Sequence, residues 1–224
     1  MKISNGVNVI AIDGPAGSGK STVAKGVAEK LGYLYIDTGA MYRALTLKAL
    51  KENIDIHNEG LLIKLSRNLD IKLETKNGSL KVFLDGKNVT EEIRALSISQ
   101  KVKFVARVKG VRQNMVRLQR TLAKNYIGSV LEGRDIGTVV FPGAKYKFYL
   151  DASIKERIRR RFKEFECKGV NVSLADIEKD VKERDHTDKT RDVAPLKKAE
   201  DAVCIDTTSM TVKKVVIEVL NRIK

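Results

Sequence analysis

The stretch Ile10-Ala-Ile-Asp-Gly-Pro-Ala-Gly-Ser-Gly-Lys-Ser-Thr22 decides the fold, because an apolar run stops abruptly at an aspartate and opens into a cluster of glycines. Val7, Val9, Ile10 and Ile12 read as a buried strand, and TVAKGVAEKLG from Thr22 reads as a helix that ends at Gly32. Between them, Gly14 to Ser21 has the spacing G-x-x-x-x-G-K-S of a phosphate-binding P-loop. Glycines there let successive backbone N–H groups turn toward one centre, and the helix start adds positive potential. A tight turn alone would also favour glycine, but a strand before it and a helix after it favour the phosphate reading. The ligand implied is a nucleoside triphosphate. Gly14, Pro15, Ala16, Gly17, Ser18, Gly19, Lys20, Ser21 and Thr22 would hold its phosphates, with Lys20 reaching the β- and γ-phosphates and Ser21 ligating Mg²⁺.

Strand and helix go on alternating beyond this loop. Tyr33–Ile36 reads as a short strand followed by a helix through about Leu50, and further strands are expected at Ser129–Glu132, Tyr146–Leu150 and Ala202–Ile205, each leading through a polar turn into a helical pattern. Such units call for an α/β fold with a mostly parallel sheet covered by helices, its ligands at the carboxyl ends of the strands. One segment breaks the rhythm: IKLET, KNGS and LKVFLDG, between about Asp70 and Asp85, read as an inserted antiparallel hairpin with an Asn-Gly turn. A long helical region is expected from about Thr90 to Lys124.

Composition narrows the class. Hydrophobic residues at 42% and charged residues at 32% describe a globular chain rather than a disordered one. No apolar run approaches a membrane span and the first residues lack a secretory signal, so the cytoplasm is the expected compartment. Cys167 and Cys204 suggest neither a metal site nor a disulfide framework. The net charge of +15 asks for an anionic partner. Polynucleotide would satisfy it, but the basic residues are spread along the chain, tryptophan is absent and aromatic residues make up only 5%. Small phosphorylated substrates fit better. No polynucleotide or membrane partner is expected, and a monomer is favoured slightly over an oligomer.

A triphosphate site names a donor but no acceptor. Three stretches point to a second phosphate: DTGAMYR at 37–43, GRDIGT at 133–138 and ERDHTDKTR at 183–191, each expected at a strand end or loop. Each sets arginine near aspartate, so that a guanidinium fork can grip phosphate while a carboxylate accepts sugar hydroxyls. Structural ion pairs would use the same residue mix.

In this order and at these separations, GPAGSGKST, DTGAMYR, GRDIGTVVFP and ERDHTDKTRDVAP resemble the bacterial cytidylate kinases, P-loop nucleoside monophosphate kinases, and the resemblance covers essentially the whole chain. It implies a P-loop kinase core with a five-stranded parallel sheet in a single domain. The core would comprise about 1–37, 125–152 and 168–224, with a monophosphate-binding region at about 38–124 that contains the hairpin and a short lid at about 153–167. The implied reaction moves the γ-phosphoryl group of ATP to CMP or dCMP with Mg²⁺ as cofactor, giving ADP and CDP or dCDP. Arg43, Arg134 and Arg191 would grip the CMP phosphate, with Asp37 and Thr38 against the nucleotide. Asp135, Arg184 and Asp188 would contact the sugar, and Arg112 would lie near the cytosine. Arg157 and Arg161 resemble lid arginines that close over the triphosphate. Lys20, Arg134, Asp135, Arg157 and Arg161 form the implied catalytic set.

Phosphoryl transfer spreads charge over equatorial oxygens, so alignment and charge neutralisation suffice and no dedicated base is required. His57 and His186 therefore read as bystanders, the first in a polar turn and the second in the ERDHTDKTR loop. One departure stands out. Counted from Glu92-Ile-Arg94, Lys103 occupies the position where the family is expected to offer a small hydroxyl to the cytosine; Ser97 and Ser99 lie nearby. An ammonium donates but cannot accept from an exocyclic amine. UMP, another small acceptor, or an RNA-binding NTPase switch are the alternative functions.

Overall fold

The computed structural model describes residues 8–76, 79–167 and 169–223. The opening strand is β1, Asn8–Asp13, with Val7 outside the described residues. Every residue of β1 after Asn8 is buried, as an unbroken apolar run requires of a central strand. Helix α1 (Lys20–Leu31) follows, then β2 (Leu34–Asp37) and α2 (Thr38–Lys51). The remaining strands of this sheet are β6 (Gly128–Gly133), β7 (Tyr146–Asp151) and β8 (Val203–Asp206), and the order is β2-β6-β1-β7-β8 with every pairing parallel. All five expected strands are present in one parallel sheet. Their carboxyl ends therefore share one edge. From that edge leave the P-loop after β1, Asp37-Thr-Gly after β2, Gly-Arg-Asp after β6, and helix α6 (Ile154–Cys167) shortly after β7.

The inserted hairpin is β3 (Ile71–Lys76) paired antiparallel with β4 (Ser79–Leu84), and the expected Asn-Gly turn lies outside the described residues. A two-residue strand, β5 (Lys87–Asn88), adds to β4 and makes the insertion a three-stranded sheet. Ile71, Leu73, Leu80, Val82 and Leu84 are buried, and β4 packs on α2. Ahead of the hairpin, Asn58 caps helix α3 (Glu59–Arg67) by accepting from Leu61 N at 3.1 Å.

Three sequence expectations are corrected. The region 90–124 is not one helix: a 3₁₀ turn at Glu92–Arg94 is followed by α4 (Leu96–Ala106) and α5 (Lys109–Lys124). Ala95, with ψ 146°, and Val108, with ψ 118°, are extended and interrupt the helical hydrogen bonding. No α-helix separates β6 from β7. The chain instead makes a single π-helical turn, Ile136–Val140, and crosses to β7. The stretch ERDHTDKTR is not a loop, because through Thr190 it forms the last turns of helix α7 (Leu174–Thr190). Ser173 caps α7 by accepting from Asp176 N at 3.1 Å, and Ile177 and Val181 pack with Ile158 of α6. His186 accordingly sits exposed on a helix rather than in a loop. Helix α8 (Val212–Asn221) closes the chain and packs against α1.

Candidate active site

The P-loop wraps a helix start that has no side-chain cap. Gly19 occupies the N-cap position of α1 and offers no side chain to the first N–H groups of the helix. Gly14 is irreplaceable for two reasons: its φ is +149°, and a Cβ there would stand 2.0 Å from Leu150 O. Lys20 Nζ donates to Pro15 O at 2.7 Å. Burial first, and then the nearby Arg134 guanidinium, push the Lys20 ammonium below its ordinary pKa, with Glu132 opposing. Ser21 Oγ donates to Glu132 Oε1 at 2.6 Å, and Tyr35 OH reaches the same oxygen at 3.3 Å. Burial, then Asp37, raise the Glu132 carboxyl.

The arginine–aspartate side is assembled from distant elements. Asp37 caps α2 through Ala40 N at 2.7 Å and pairs with Arg43 Nη2 at 3.0 Å. Thr38 Oγ1 donates to Glu132 O at 2.8 Å, tying the start of α2 to the end of β6. At Gly133 a Cβ would meet Thr38 Oγ1 and Ile136 Cδ1, each at 2.7 Å, so this contact requires glycine. Arg134 Nε donates to Asp188 Oδ2 at 2.7 Å. Arg112 Nη2 donates to Asp135 Oδ2 at 2.6 Å, and the Arg112 guanidinium lies 5.3 Å from the Tyr42 ring centroid. Arg191 stands 3.8 Å from both Asp135 and Asp188. Burial would raise the Asp188 carboxyl, but Arg134 and Arg184 outweigh it and hold the group below the usual range. The Arg184 side chain makes no hydrogen bond among the described residues, and burial followed by Arg134 lowers its pKa to about 10.

These groups converge on one cleft of about 1480 Å³. Of the expected residues, the loop from Ala16 to Thr22, Asp37, Thr38, Arg43, Arg112, Arg134, Asp135, Arg161, Arg184, Asp188 and Arg191 all line it, and Lys103 and Ser99 of α4 join them. Arg43 Nε, Arg112 Nε and Arg191 Nη2 are buried donors without a hydrogen-bond acceptor among the described residues, although Arg191 Nη2 stands 3.8 Å from Asp135 Oδ1 as an ion pair. Buried N–H groups left this way are costly until an acceptor meets them.

Gly14, Pro15 and Arg157 do not line the cleft. Arg157 is buried against the loop's outer side, donating to Ala16 O at 3.2 Å and Ala152 O at 3.1 Å and pairing with Asp185 at 2.7 Å. It thereby ties the P-loop to both α6 and α7. Arg161 does face the cleft, with its guanidinium 4.9 Å from the Phe165 ring centroid and paired with Glu164.

A family model described as "Cytidylate kinase" matches residues 10–224. The chain belongs to the cytidylate kinase family. Relatives bearing that same description include a protein of Desulforamulus reducens, 52% identical over 94% of this chain and 94% of its own. That of Alkaliphilus oremlandii is 49% identical over 96% and 97%, and that of Bacillus subtilis 48% identical over 96% of each. Among solved structures, a shikimate kinase from Acinetobacter baumannii in complex with shikimate aligns over 97% of this chain and 96% of its own at 16% identity, with a TM-score of 0.47.

Three members of the site escaped the sequence reading. Glu132 ends an apolar strand with an acid, as Asp13 does, and that shared pattern is the signal that could have found it. Arg160 contacts Gly17 O at 3.4 Å and holds Thr207 O at 2.6 Å, bracing the loop from above. Within Arg159-Arg-Arg161 no spacing tells which arginine turns inward. Thr207, in turn, donates toward Ser18 O at 3.0 Å, and nothing in its sequence surroundings marks it.

Proposed function

We infer that this chain transfers the γ-phosphoryl group of ATP to CMP or dCMP, releasing ADP and CDP or dCDP. The observation that supports the reading is a single cleft lined by two separate groups of unsatisfied or cationic donors. One is the P-loop with its uncapped helix; the other is the arginine group, whose buried N–H donors include three without a hydrogen-bond acceptor. A nucleotide switch without an acceptor has no use for the second group.

In the reaction an oxygen of the acceptor phosphate attacks the γ-phosphorus, the bond to the β,γ-bridging oxygen breaks, and ADP leaves with that electron pair. The P-loop backbone and Lys20 hold the donor phosphates. Arg43, Arg134 and Arg191 hold the acceptor phosphate, so that two anions that repel each other in water are brought into line. Asp135, Arg184 and Asp188 are assigned to the sugar, with Asp37 and Thr38 beside the nucleotide and Arg112 toward the base. Arg161 is assigned to the developing charge from the lid side, whereas Arg157 acts on the chemistry through the loop it braces. Ser21 Oγ and the Glu132 carboxylate form a pair of hard oxygen donors that suits Mg²⁺, an ion that takes one or two protein oxygens alongside substrate phosphates. When bound, Mg²⁺ would neutralise charge on the donor phosphates.

We assign the core, the acceptor region at about 38–124 and the lid at about 153–167 as parts of one kinase domain acting in the cytoplasm. Among the described residues no helix is long and apolar enough to cross a membrane. The test is ADP release from ATP·Mg²⁺ with CMP, dCMP, UMP, AMP or no acceptor. Turnover confined to CMP and dCMP is expected. Equal turnover with UMP would move the base assignment to the donor-only Lys103, and release independent of acceptor would overturn the kinase reading.

A further inference from the structure

The π-helical turn Ile136–Val140 has a feature that neither the donor nor the acceptor assignment uses. A helical turn this short leaves N–H groups at its start and carbonyls at its end without partners of its own. Here both are met by buried or half-buried charged side chains from elsewhere in the fold. At the start, the two oxygens of Asp13 accept from Ile136 N at 2.8 Å and Gly137 N at 2.7 Å. At the end, Arg120 of α5 donates from Nε to Val140 O at 2.7 Å and from Nη2 to Val139 O at 3.0 Å. Neither Asp13 nor Arg120 lines the cleft.

What the turn carries is Asp135. Its carbonyl accepts the turn's own bonds from Val139 N at 2.9 Å and Val140 N at 3.1 Å, while its carboxylate stands in the cleft against Arg112 and Arg191. Backbone and side chain of this one residue thus join the turn to the acceptor arginines. Asp13 also directly precedes the P-loop, so the same carboxylate ties the donor loop's root to the acceptor corner.

We propose that Asp13 and Arg120 are positioning residues that clamp this turn from its two ends, and so set Asp135, Arg112 and Arg191 for the acceptor nucleotide. The clamp rests on the phosphoryl-transfer reading above. Two variants, Asp13→Asn and Arg120→Gln, each break one end without entering the cleft. Steady-state kinetics with ATP and CMP should show KM for CMP raised about tenfold in both, the size expected when acceptor groups shift by a fraction of an ångström. KM for ATP should stay within about twofold in Arg120→Gln, whose site is remote from the P-loop. A merely structural role would lower the fraction of folded enzyme and leave both KM values alone. Unchanged KM for CMP in folded Arg120→Gln, or equal changes for both substrates, overturns the clamp. If Asp13→Asn does not fold, Arg120→Gln decides alone. Wild-type enzyme in the same assay separates the two readings, since a wild type inactive toward CMP overturns the function and not the clamp.

Discussion

The two ends of the cleft are built on opposite plans. At the end assigned to the donor, one short continuous loop runs into an uncapped helix start, and Lys20 and Ser21 are the loop side chains given a role. At the end assigned to the acceptor the groups are side chains, gathered from α2, α5, the corner after β6 and the last turns of α7. The donor end is therefore a property of local chain geometry, and the acceptor end a property of tertiary assembly. A loop of backbone donors reads any polyphosphate, whereas separate arginines and carboxylates can be set to one sugar and one base.

The contrast is broken most severely at Lys20. Lys20→Ala should reduce turnover by at least about 100-fold, as loss of a charge-stabilising donor at a reacting phosphate does. Near-normal turnover in the ADP-release assay would remove the P-loop from the chemistry. Next in size is Asp13, whose carboxyl burial raises to about 6, with the Ile136 and Gly137 amides and Lys20 pulling down and Asp135 pushing up. Because the folded state holds this proton more tightly than the unfolded chain, the site loses stability as pH rises from about 4 to about 6 and stays penalised above that. Relative to Asp13→Asn, the wild type should lose up to about 3 kcal/mol between pH 4 and 7, read from urea midpoints at each pH. A pH-independent difference would mean that Asp13 titrates normally. The smallest effect belongs to a single acceptor contact. Asp188→Ala should raise KM for CMP about tenfold, the cost of leaving Arg134 without its buried partner, while KM for ATP changes far less. Equal shifts would place Asp188 with the donor.

The same contrast explains what could be read in advance. The P-loop, the five strands and the hairpin are local patterns of apolar run, glycine and turn, and their types emerge from adjacent residues. Helix α7 hid because its seventeen residues are mostly charged and only Leu174, Ile177 and Val181 supply an apolar rhythm, sufficient for packing on α6 but faint as a pattern. The break at Arg107 and Val108 is invisible because both flanking segments have helical composition. For the acceptor arginines the residue types were legible, but their pairing was not. That Arg134 meets Asp188 and Arg112 meets Asp135 depends on how α5, α7 and β6 come together. Arg157 illustrates the limit. Its place beside Arg161 suggests a common task, yet the helix turns one toward the cleft and the other against the back of the loop.

The neighbouring places of β1 and β6 in the sheet have a metrical consequence. Asp13, the root of the donor loop, is the ladder partner of Gly133, the root of the acceptor corner. The lateral offset between the two anchors is thus the interstrand repeat of about 4.8 Å, a length dictated by amide hydrogen bonding and indifferent to side-chain identity. The spacing of these two anchors is therefore set by the backbone lattice and by no side chain.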